Sequence, residues 1–262
     1  MDQTRTLAGR TAIVTGASRG IGRAIAVRLA REGARMALCA RDAAALAEVR
    51  SLIEGSGGAA DVLPLDLRQP DAPARLAAFA VERTGRIDVV VNNAGATRRG
   101  DFESLTDNDW TDGFALKFFG AVRLTRAAWP YLKQSRGSAL FISGIGGRTP
   151  GAQFAIGGSV NAALLSLTKA LADAGLRDGI RVNTINPGTI RTQRFQARLE
   201  TLAREKGVEL ANAEREFIRD AKVSRIGEPE DVAALAAFVL GPEGSLLHGA
   251  ILDLDGGATK TV

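Results

Sequence analysis

The sequence predicts an α/β fold, a doubly wound parallel sheet with helices on both faces, in a single domain. Two observations carry this prediction. Seven short apolar runs are rich in Val, Ile and Leu, and longer amphipathic stretches separate them. Strands buried on both faces are nearly continuously apolar, and regular alternation with helices is typical of a parallel sheet. The predicted strands are TAIVT (11–15), RMALC (35–39), DVLPL (61–65), IDVVV (87–91), SALFI (138–142), IRVNTI (180–185) and AILDL (250–254).

Length and composition narrow the class of protein. The chain has 262 residues, 45% hydrophobic and 24% charged, which fits one globular domain over residues 1–262. The net charge is +5, but the arginines are scattered among acids without a long like-charged block, which argues against nucleic-acid binding. Cys39 is the only cysteine and lies in a predicted strand, so we interpret it as a core thiol.

Nothing in the sequence predicts a membrane segment or a secretion signal. Charged residues interrupt every apolar run before it reaches the roughly 18 residues that a membrane span needs. The N-terminal segment MDQTRTLAGR has no apolar signal core. We therefore expect a cytoplasmic protein.

The amphipathic stretches read as helices that end at glycine, as in IGRAIAVRLAREG and DAAALAEVRSLIEGSG. One segment, about 192–224, breaks the alternation because it is long, charged and helical in pattern between the last two strands. We interpret it as a helical lid that covers a site. The alternative is a segment retained from an ancestor.

A glycine-rich turn follows the first strand in TAIVTGASRGIG (11–22). Gly16, Gly20 and Gly22 allow a tight turn and a close approach of the backbone to a pyrophosphate at the positive end of the next helix. Ser18, Arg19 and Ile21 complete this loop. The alternative is an ordinary strand–helix turn with no ligand.

The end of the second strand carries Arg41, where an acidic residue would bind the adenosine 2′-hydroxyl. Arg41 and Arg19 instead favour the 2′-phosphate of NADP(H), with NAD as the alternative cofactor. The alternative interpretation is that Asp42 caps the next helix and Arg41 is solvated.

The chain resembles the short-chain dehydrogenase/reductase family along nearly its whole length. The motifs are TGASRGIG (15–22), Asp66 in PLDL, NNAG (92–95), NPGTIRT (186–192) and the ending RIGEPEDVAALAAFVLGPEGSLLHGAILDLDGG (225–257). The resemblance implies a Rossmann-type fold with a seven-stranded sheet, a bound nicotinamide dinucleotide, and a homotetramer or homodimer.

The resemblance also assigns expected contacts with the dinucleotide. Asp66 is expected at the adenine, and Asn92, Ala94 and Gly95 along the dinucleotide. Leu67 and Asn93 are expected among the other cofactor contacts. The nicotinamide end is expected at Pro187, Gly188, Ile190 and Thr192.

The chain departs from the family at four positions that carry its proton chemistry. The family has a tyrosine, a lysine four residues later, a serine after the fifth strand and an asparagine on the preceding helix. By spacing, the corresponding residues here are Gly157, Asn161, Gly144 and Lys117. A paired glycine inside a helix is unfavourable, so Gly157 and Gly158 predict either a helix start at Ser159 or a need for space.

At two of these positions the residue types are exchanged relative to the family. The asparagine position holds Lys117, and the lysine position holds Asn161. In the family fold, the positions of Lys117 and Asn161 face each other, so a cation is kept but moved to the opposite helix. We hypothesise that Lys117 supplies the charge and the proton, with a pKa lowered by burial, and that Asn161 hydrogen-bonds a ribose hydroxyl. The alternative is that Lys117 only holds the dinucleotide or reaches solvent.

Other candidates for the missing groups are weaker. Tyr131 is the only tyrosine, and no lysine follows it four residues later. His248 precedes the last strand, where the family makes assembly contacts, so we expect a structural role. Strand alternation directs Ser143 away from the vacant serine position.

Arginines near the expected pocket raise the question of substrate charge. Arg98 and Arg99 follow the fourth strand, and Arg148 and Gln153 lie on the loop after the fifth strand. They suggest an anionic substrate, a carboxylate or a phosphopantetheine carrier. Ordinary surface arginines are the alternative.

The sequence thus predicts an NAD(P)(H)-dependent oxidoreductase that acts on a carbonyl or alcohol by an atypical mechanism without the tyrosine. One alternative is a non-catalytic dinucleotide-binding protein with a regulatory or assembly role. Another is an isomerase or lyase that uses the same pocket. We expect a small-molecule substrate and no metal, nucleic-acid or membrane partner.

Overall fold

A computed structural model describes residues 5–260 and contains a seven-stranded, entirely parallel sheet in the order β3-β2-β1-β4-β5-β6-β7. The strands are β1 Thr11–Thr15, β2 Arg35–Ala40, β3 Ala59–Pro64, β4 Val89–Asn92, β5 Ser138–Ile142, β6 Arg181–Pro187 and β7 Ile251–Leu254. The predicted doubly wound, Rossmann-type fold is therefore confirmed. The first four residues of the N-terminal segment, predicted to lack a signal core, lie outside the described residues.

The order of the strands reverses between β1 and β4, and ligands of such sheets bind at this point. The predicted bounds of β1 and β5 match the structure. The strand β4 begins at Val89, two residues later than predicted, although the Asp88 backbone still bonds Thr11 and Ser138 on the neighbouring strands. The Asp88 carboxylate accepts from the Thr11 amide at 2.8 Å and pairs with Arg86.

Helices cover both faces of the sheet. One hydrophobic core joins the sheet to α1, α2 and α9, and a second core joins its other face to α3, α5 and α6. The helices are α1 Gly20–Arg31, α2 Ala43–Gly55, α3 Ala72–Thr84, α4 Asp107–Gly113, α5 Gly120–Ser135, α6 Ala155–Asp178, α7 Gln193–Lys206, α8 Leu210–Ala221 and α9 Pro229–Leu240.

The helix α6 corrects two expectations. It begins at Ala155, so Gly157 and Gly158 lie in its first turn and Ser159 is not its cap. The range Ala152–Asp178 is also long and apolar enough to cross a membrane by length and composition alone, contrary to the prediction. In the structure its buried positions recur every three or four residues and pack on the sheet, so we interpret α6 as a core helix.

The segment between β6 and β7 is helical, as predicted, and forms α7 and α8. These two helices share a small core of their own, whose buried members are Phe195, Leu199, Ala203, Ala213 and Ile226. Arg191 joins this unit to the body of the domain, because its guanidinium pairs with Glu214 on α8 and with Glu228 at the start of α9.

Candidate functional site

A cleft of about 1590 Å³ opens at the carboxyl ends of the strands, where the strand order reverses. The residues predicted to contact the dinucleotide, apart from Asn92, line this cleft together with Lys117 and Asn161. They are Gly16, Ser18, Arg19, Gly20, Ile21, Gly22, Arg41, Asp66, Leu67, Asn93, Ala94, Gly95, Lys117, Asn161, Pro187, Gly188, Ile190 and Thr192. Asn92 is the correction: it is buried beneath the site, and its Nδ2 donates to Thr125.

The glycine-rich loop is held tightly against the end of β4. Gly16 has a φ of +65°, and a Cβ at Gly22 would overlap the Gly16 carbonyl and the Asn93 amide. Asn93 Nδ2 fixes this arrangement by donating to the carbonyls of Thr15 (2.9 Å) and Gly16 (3.3 Å). The loop therefore depends on glycine for its conformation and its packing.

The start of α1 faces the cleft without a side-chain cap from Arg19. Its first amides and the positive end of the helix dipole are therefore open to an anion. This arrangement fits the pyrophosphate of a dinucleotide, which is bound at such helix starts.

Arg19 and Arg41 are exposed at the same end of the cleft, and neither forms an ion pair within residues 5–260. Arg19 makes only a long contact of 3.5 Å with Gln193. Asp42 does cap α2, since its carboxylate accepts from the Ala45 amide at 3.0 Å. The Asp42 cap and the exposed Arg41 agree with the alternative interpretation as well as with a phosphate contact.

Lys117 and Asn161 are in direct contact. Lys117 Nζ donates to Asn161 Oδ1 at 2.6 Å and to the Ser143 carbonyl at 2.8 Å. An ammonium has three protons, so one remains to be directed into the cleft. Burial, with a smaller contribution from the charge of Arg194, lowers the pKa of Lys117 to about 7, although the residue keeps some solvent exposure.

The backbone around Lys117 is unusual. Residues Phe114–Phe119 form a π-helical segment between α4 and α5, and such segments are frequent at functional sites. The Lys117 side chain crosses Gly95, where a Cβ would lie 2.8 Å from Lys117 Cδ. Gly95 thus provides the space through which the lysine reaches Asn161.

Asn161 is 2% exposed, and Ser143 Oγ donates to its backbone carbonyl at 3.2 Å. Its Nδ2 donates to no acceptor in the described chain and points toward Gly144, where a Cβ would lie 2.9 Å away. The Asn161 amide is thereby free to donate to a ligand, while its oxygen holds the lysine.

The ring of Phe154 fills the space beside Gly157. A Cβ at Gly157 would overlap this ring, and a Cβ at Gly146 would lie 2.7 Å from it. The predicted space at Gly157 is therefore occupied by a neighbour from the preceding loop. Phe154 was not predicted as a site residue, and its nearness to the glycine pair is the only signal for it in the sequence.

Several weaker candidates fall outside the site. Arg98 pairs with Asp109 and Arg148 with Asp253, and neither lines the cleft. His248 Nε2 bonds the Ala172 carbonyl at 2.7 Å, which fits the structural role expected. Tyr131 lies on α5, packs against the second core and does not line the cleft.

Arg99 does line the cleft, together with Gln153 and two arginines that the sequence analysis did not single out, Arg194 and Arg198 on α7. The signal for the latter pair was their spacing of four residues on the predicted lid. Within residues 5–260, no group of three or more His, Cys, Asp or Glu side chains is placed to hold a metal ion.

Comparisons with known proteins agree with this architecture. The family model described as enoyl-(acyl carrier protein) reductase matches residues 16–259. An uncharacterized oxidoreductase of Mycobacterium tuberculosis is 36% identical over 252 residues, which cover 95% of this chain and 92% of that protein.

Two solved structures are also similar. L-Sorbose reductase from Gluconobacter frateurii, complexed with NADPH and L-sorbose, has a TM-score of 0.95 at 28% identity, covering 99% of this chain and 100% of that one. A short-chain dehydrogenase from Burkholderia cenocepacia in complex with NADP has a TM-score of 0.86 at 32% identity, covering 97% and 99%. Taken with the parallel sheet and the glycine loop, these matches show that the chain belongs to the short-chain dehydrogenase/reductase family of oxidoreductases.

Proposed function

We propose that the protein is an NADP(H)-dependent oxidoreductase that interconverts a carbonyl and an alcohol, with Lys117 and Asn161 at the reacting end of the cleft. The observation that carries this proposal is the Lys117–Asn161 hydrogen bond inside a cleft lined by every expected dinucleotide contact except Asn92. The NADPH and NADP in the two similar structures support the choice of cofactor.

The cleft offers groups for each part of the dinucleotide. The open amides of α1 would hold the pyrophosphate, Arg19 and Arg41 the 2′-phosphate, and Asp66 with Leu67 the adenine. The segment from Pro187 to Thr192 would hold the nicotinamide end. When bound, the reduced cofactor supplies a hydride to a substrate carbonyl carbon.

Lys117 would supply the matching proton. In the direction of reduction, its ammonium gives one proton to the oxygen that becomes the hydroxyl, and solvent then reprotonates the neutral amine. A pKa of about 7 suits this role, because both protonation states are populated near neutral pH. Asn161 orients the ammonium through Oδ1, and its free Nδ2 would donate to a ribose hydroxyl.

Binding is tested first, by titrating the protein with NADPH and NADH and following reduced-nicotinamide fluorescence. We expect NADPH to bind more tightly and Arg41→Ala to weaken NADPH at least about tenfold, as loss of a charge-assisted hydrogen bond would. Arg126→Ala is the matched control, because Arg126 is exposed on α5 and lies outside the cleft lining. Equal affinity for NADPH and NADH would contradict the binding of the 2′-phosphate by Arg41.

Turnover is tested second, with a panel of carbonyl compounds and the variant Lys117→Met. Loss of turnover with NADPH affinity retained supports the proton-donor role, whereas unchanged turnover excludes it. Phe154 beside Gly157 favours a second candidate, a dinucleotide-binding protein without turnover, because the ring closes space next to the reacting end. Tight NADPH binding with no turnover on any carbonyl compound would support that candidate.

We further propose that the protein is a cytoplasmic homotetramer or homodimer in which α7 and α8 act as a lid over a small-molecule substrate. The separate small core of α7 and α8, tied to the domain by the Arg191 ion pairs, supports the lid. The location and the assembly are carried over from the sequence-based expectations. Light scattering on the purified protein tests the assembly, and a monomer at micromolar concentration would contradict it.

A further inference from the structure

Three arginines converge at the lid end of the cleft. Arg99 follows β4, and Arg194 and Arg198 lie on α7; all three line the cleft. Burial lowers the pKa of Arg99, and the positive charges of Arg198 and Arg194 lower it further. The charge of Arg194 also lowers the pKa of Lys117, so the cluster extends to the reacting end.

None of the three arginines has an acidic partner in the part of the chain that the structure describes. Arg194 donates to the Gly95 carbonyl at 3.3 Å, and Arg198 lies over the Phe217 ring at 5.6 Å. The acidic residues of the cleft lining, Asp42, Glu48 and Asp66, belong to its adenosine end. Other exposed arginines of this chain, such as Arg98 and Arg148, do find carboxylates.

The arrangement is unfavourable without a ligand. Arg194 and Arg198 are four residues apart on one helix face, where like charges destabilise the helix. A third guanidinium held opposite them adds to the repulsion. An anion placed between them would relieve this repulsion and accept several charge-assisted hydrogen bonds.

Phe154 holds the third guanidinium in place. The Arg99 guanidinium carbon lies 4.1 Å from the centroid of the Phe154 ring, within the range of a cation–π contact. The same ring fills the space beside Gly157. The Phe154 ring therefore fills the space beside Gly157 on α6 and also holds the Arg99 guanidinium at the substrate end of the cleft.

We propose that Arg99, Arg194 and Arg198 form a subsite for an oxyanion of the substrate, so that the substrate is a carbonyl compound that also carries a carboxylate or phosphate group. This inference rests on the oxidoreductase function proposed above. The anionic group would be held under α7, and the carbonyl would be presented to Lys117.

The test is calorimetric titration of the NADP⁺-saturated protein with benzoate and phenyl phosphate, with benzamide as the uncharged analogue of benzoate. Saturation with NADP⁺ occupies the cofactor's own phosphate sites. We expect the anions to bind and benzamide not to bind, with affinity falling as salt is raised. Tighter binding of phenyl phosphate would identify a phosphate as the preferred oxyanion, and tighter binding of benzoate a carboxylate.

Arg99→Met and Arg198→Met should each weaken anion binding at least about tenfold while leaving the affinity for NADPH within about twofold. Arg98→Met is the matched control, because it removes a neighbouring arginine that is already paired with Asp109. Anion binding unchanged in both variants, or NADPH affinity lost instead, would overturn the subsite. Failure of the unmodified protein to bind NADPH would instead contradict the proposed function.

Discussion

The buried ammonium of Lys117 predicts an unusual dependence of stability on pH. The pKa of this lysine falls from 10.5 to about 7 on folding, mainly through burial. Between these values the unfolded chain holds the proton and the folded chain does not. The free energy of unfolding should therefore rise as the pH increases from 7 toward 10.

The variant Lys117→Met isolates this contribution because methionine has a similar length and no titratable group. At 1.36 kcal/mol per pKa unit, the shift lowers the free energy of unfolding by about 4 kcal/mol at pH 7. This destabilisation declines to below about 1 kcal/mol at pH 10. Removing the lysine also leaves the Ser143 carbonyl and Asn161 Oδ1 without a donor, at about 1–3 kcal/mol each. That cost is independent of pH, so the informative quantity is the slope.

Urea unfolding followed by tryptophan fluorescence, at fixed protein concentration between pH 7 and 10, measures this slope. The difference in unfolding free energy between the variant and the unmodified protein should change by about 3 kcal/mol over that range. Lys222→Met is the control, because Lys222 is exposed and forms no ion pair among residues 5–260. Two curves that stay parallel within about 0.5 kcal/mol would refute a buried, neutralised lysine.

Three further predictions concern packing and mobility. Gly157→Ala should lower the free energy of unfolding by about 1–3 kcal/mol, because its Cβ meets the Phe154 ring, whereas Gly55→Ala at the open end of α2 should be neutral or stabilising in the same urea assay. Arg191→Met should release α8 and speed tryptic cleavage within 192–224, and an unchanged cleavage pattern would contradict the clamp. Burial raises the pKa of the Cys39 thiol to about 12, so a thiol reagent should label it only in urea, and rapid labelling of the folded protein would count against this burial.

Most of the fold follows from the sequence because strands buried on both faces are apolar at nearly every position. That pattern gives the bounds of β1 and β5 as the structure has them. It places the start of β4 at Ile87, two residues before Val89, and it places β3 at 61–65, where the structure has Ala59–Pro64. Strand ends depend on hydrogen bonds with the neighbouring strands, which an apolar run does not contain.

The candidate site, like the fold, could be predicted from the sequence only in part. The contact between Lys117 and Asn161 could be expected, because two exchanged residue types at facing positions suggest a direct interaction. The start of α6 could not, because the residue preceding it, Phe154, gives no side-chain cap and Ser159 lies well inside the helix. Capping preferences are worth about 1 kcal/mol, and packing of a helix on a sheet overrides them.

At the Lys117 end of the cleft, neighbouring side chains occupy the space that a larger residue at Gly144 or Gly157 would need. A side chain at Gly144 would meet Asn161 Nδ2, and one at Gly157 would meet the Phe154 ring. The Asn161 oxygen holds Lys117, and the Phe154 ring lies under Arg99. Because each glycine accommodates a specific polar or aromatic neighbour, a serine at Gly144 or a tyrosine at Gly157 would disrupt a contact that the present residues make.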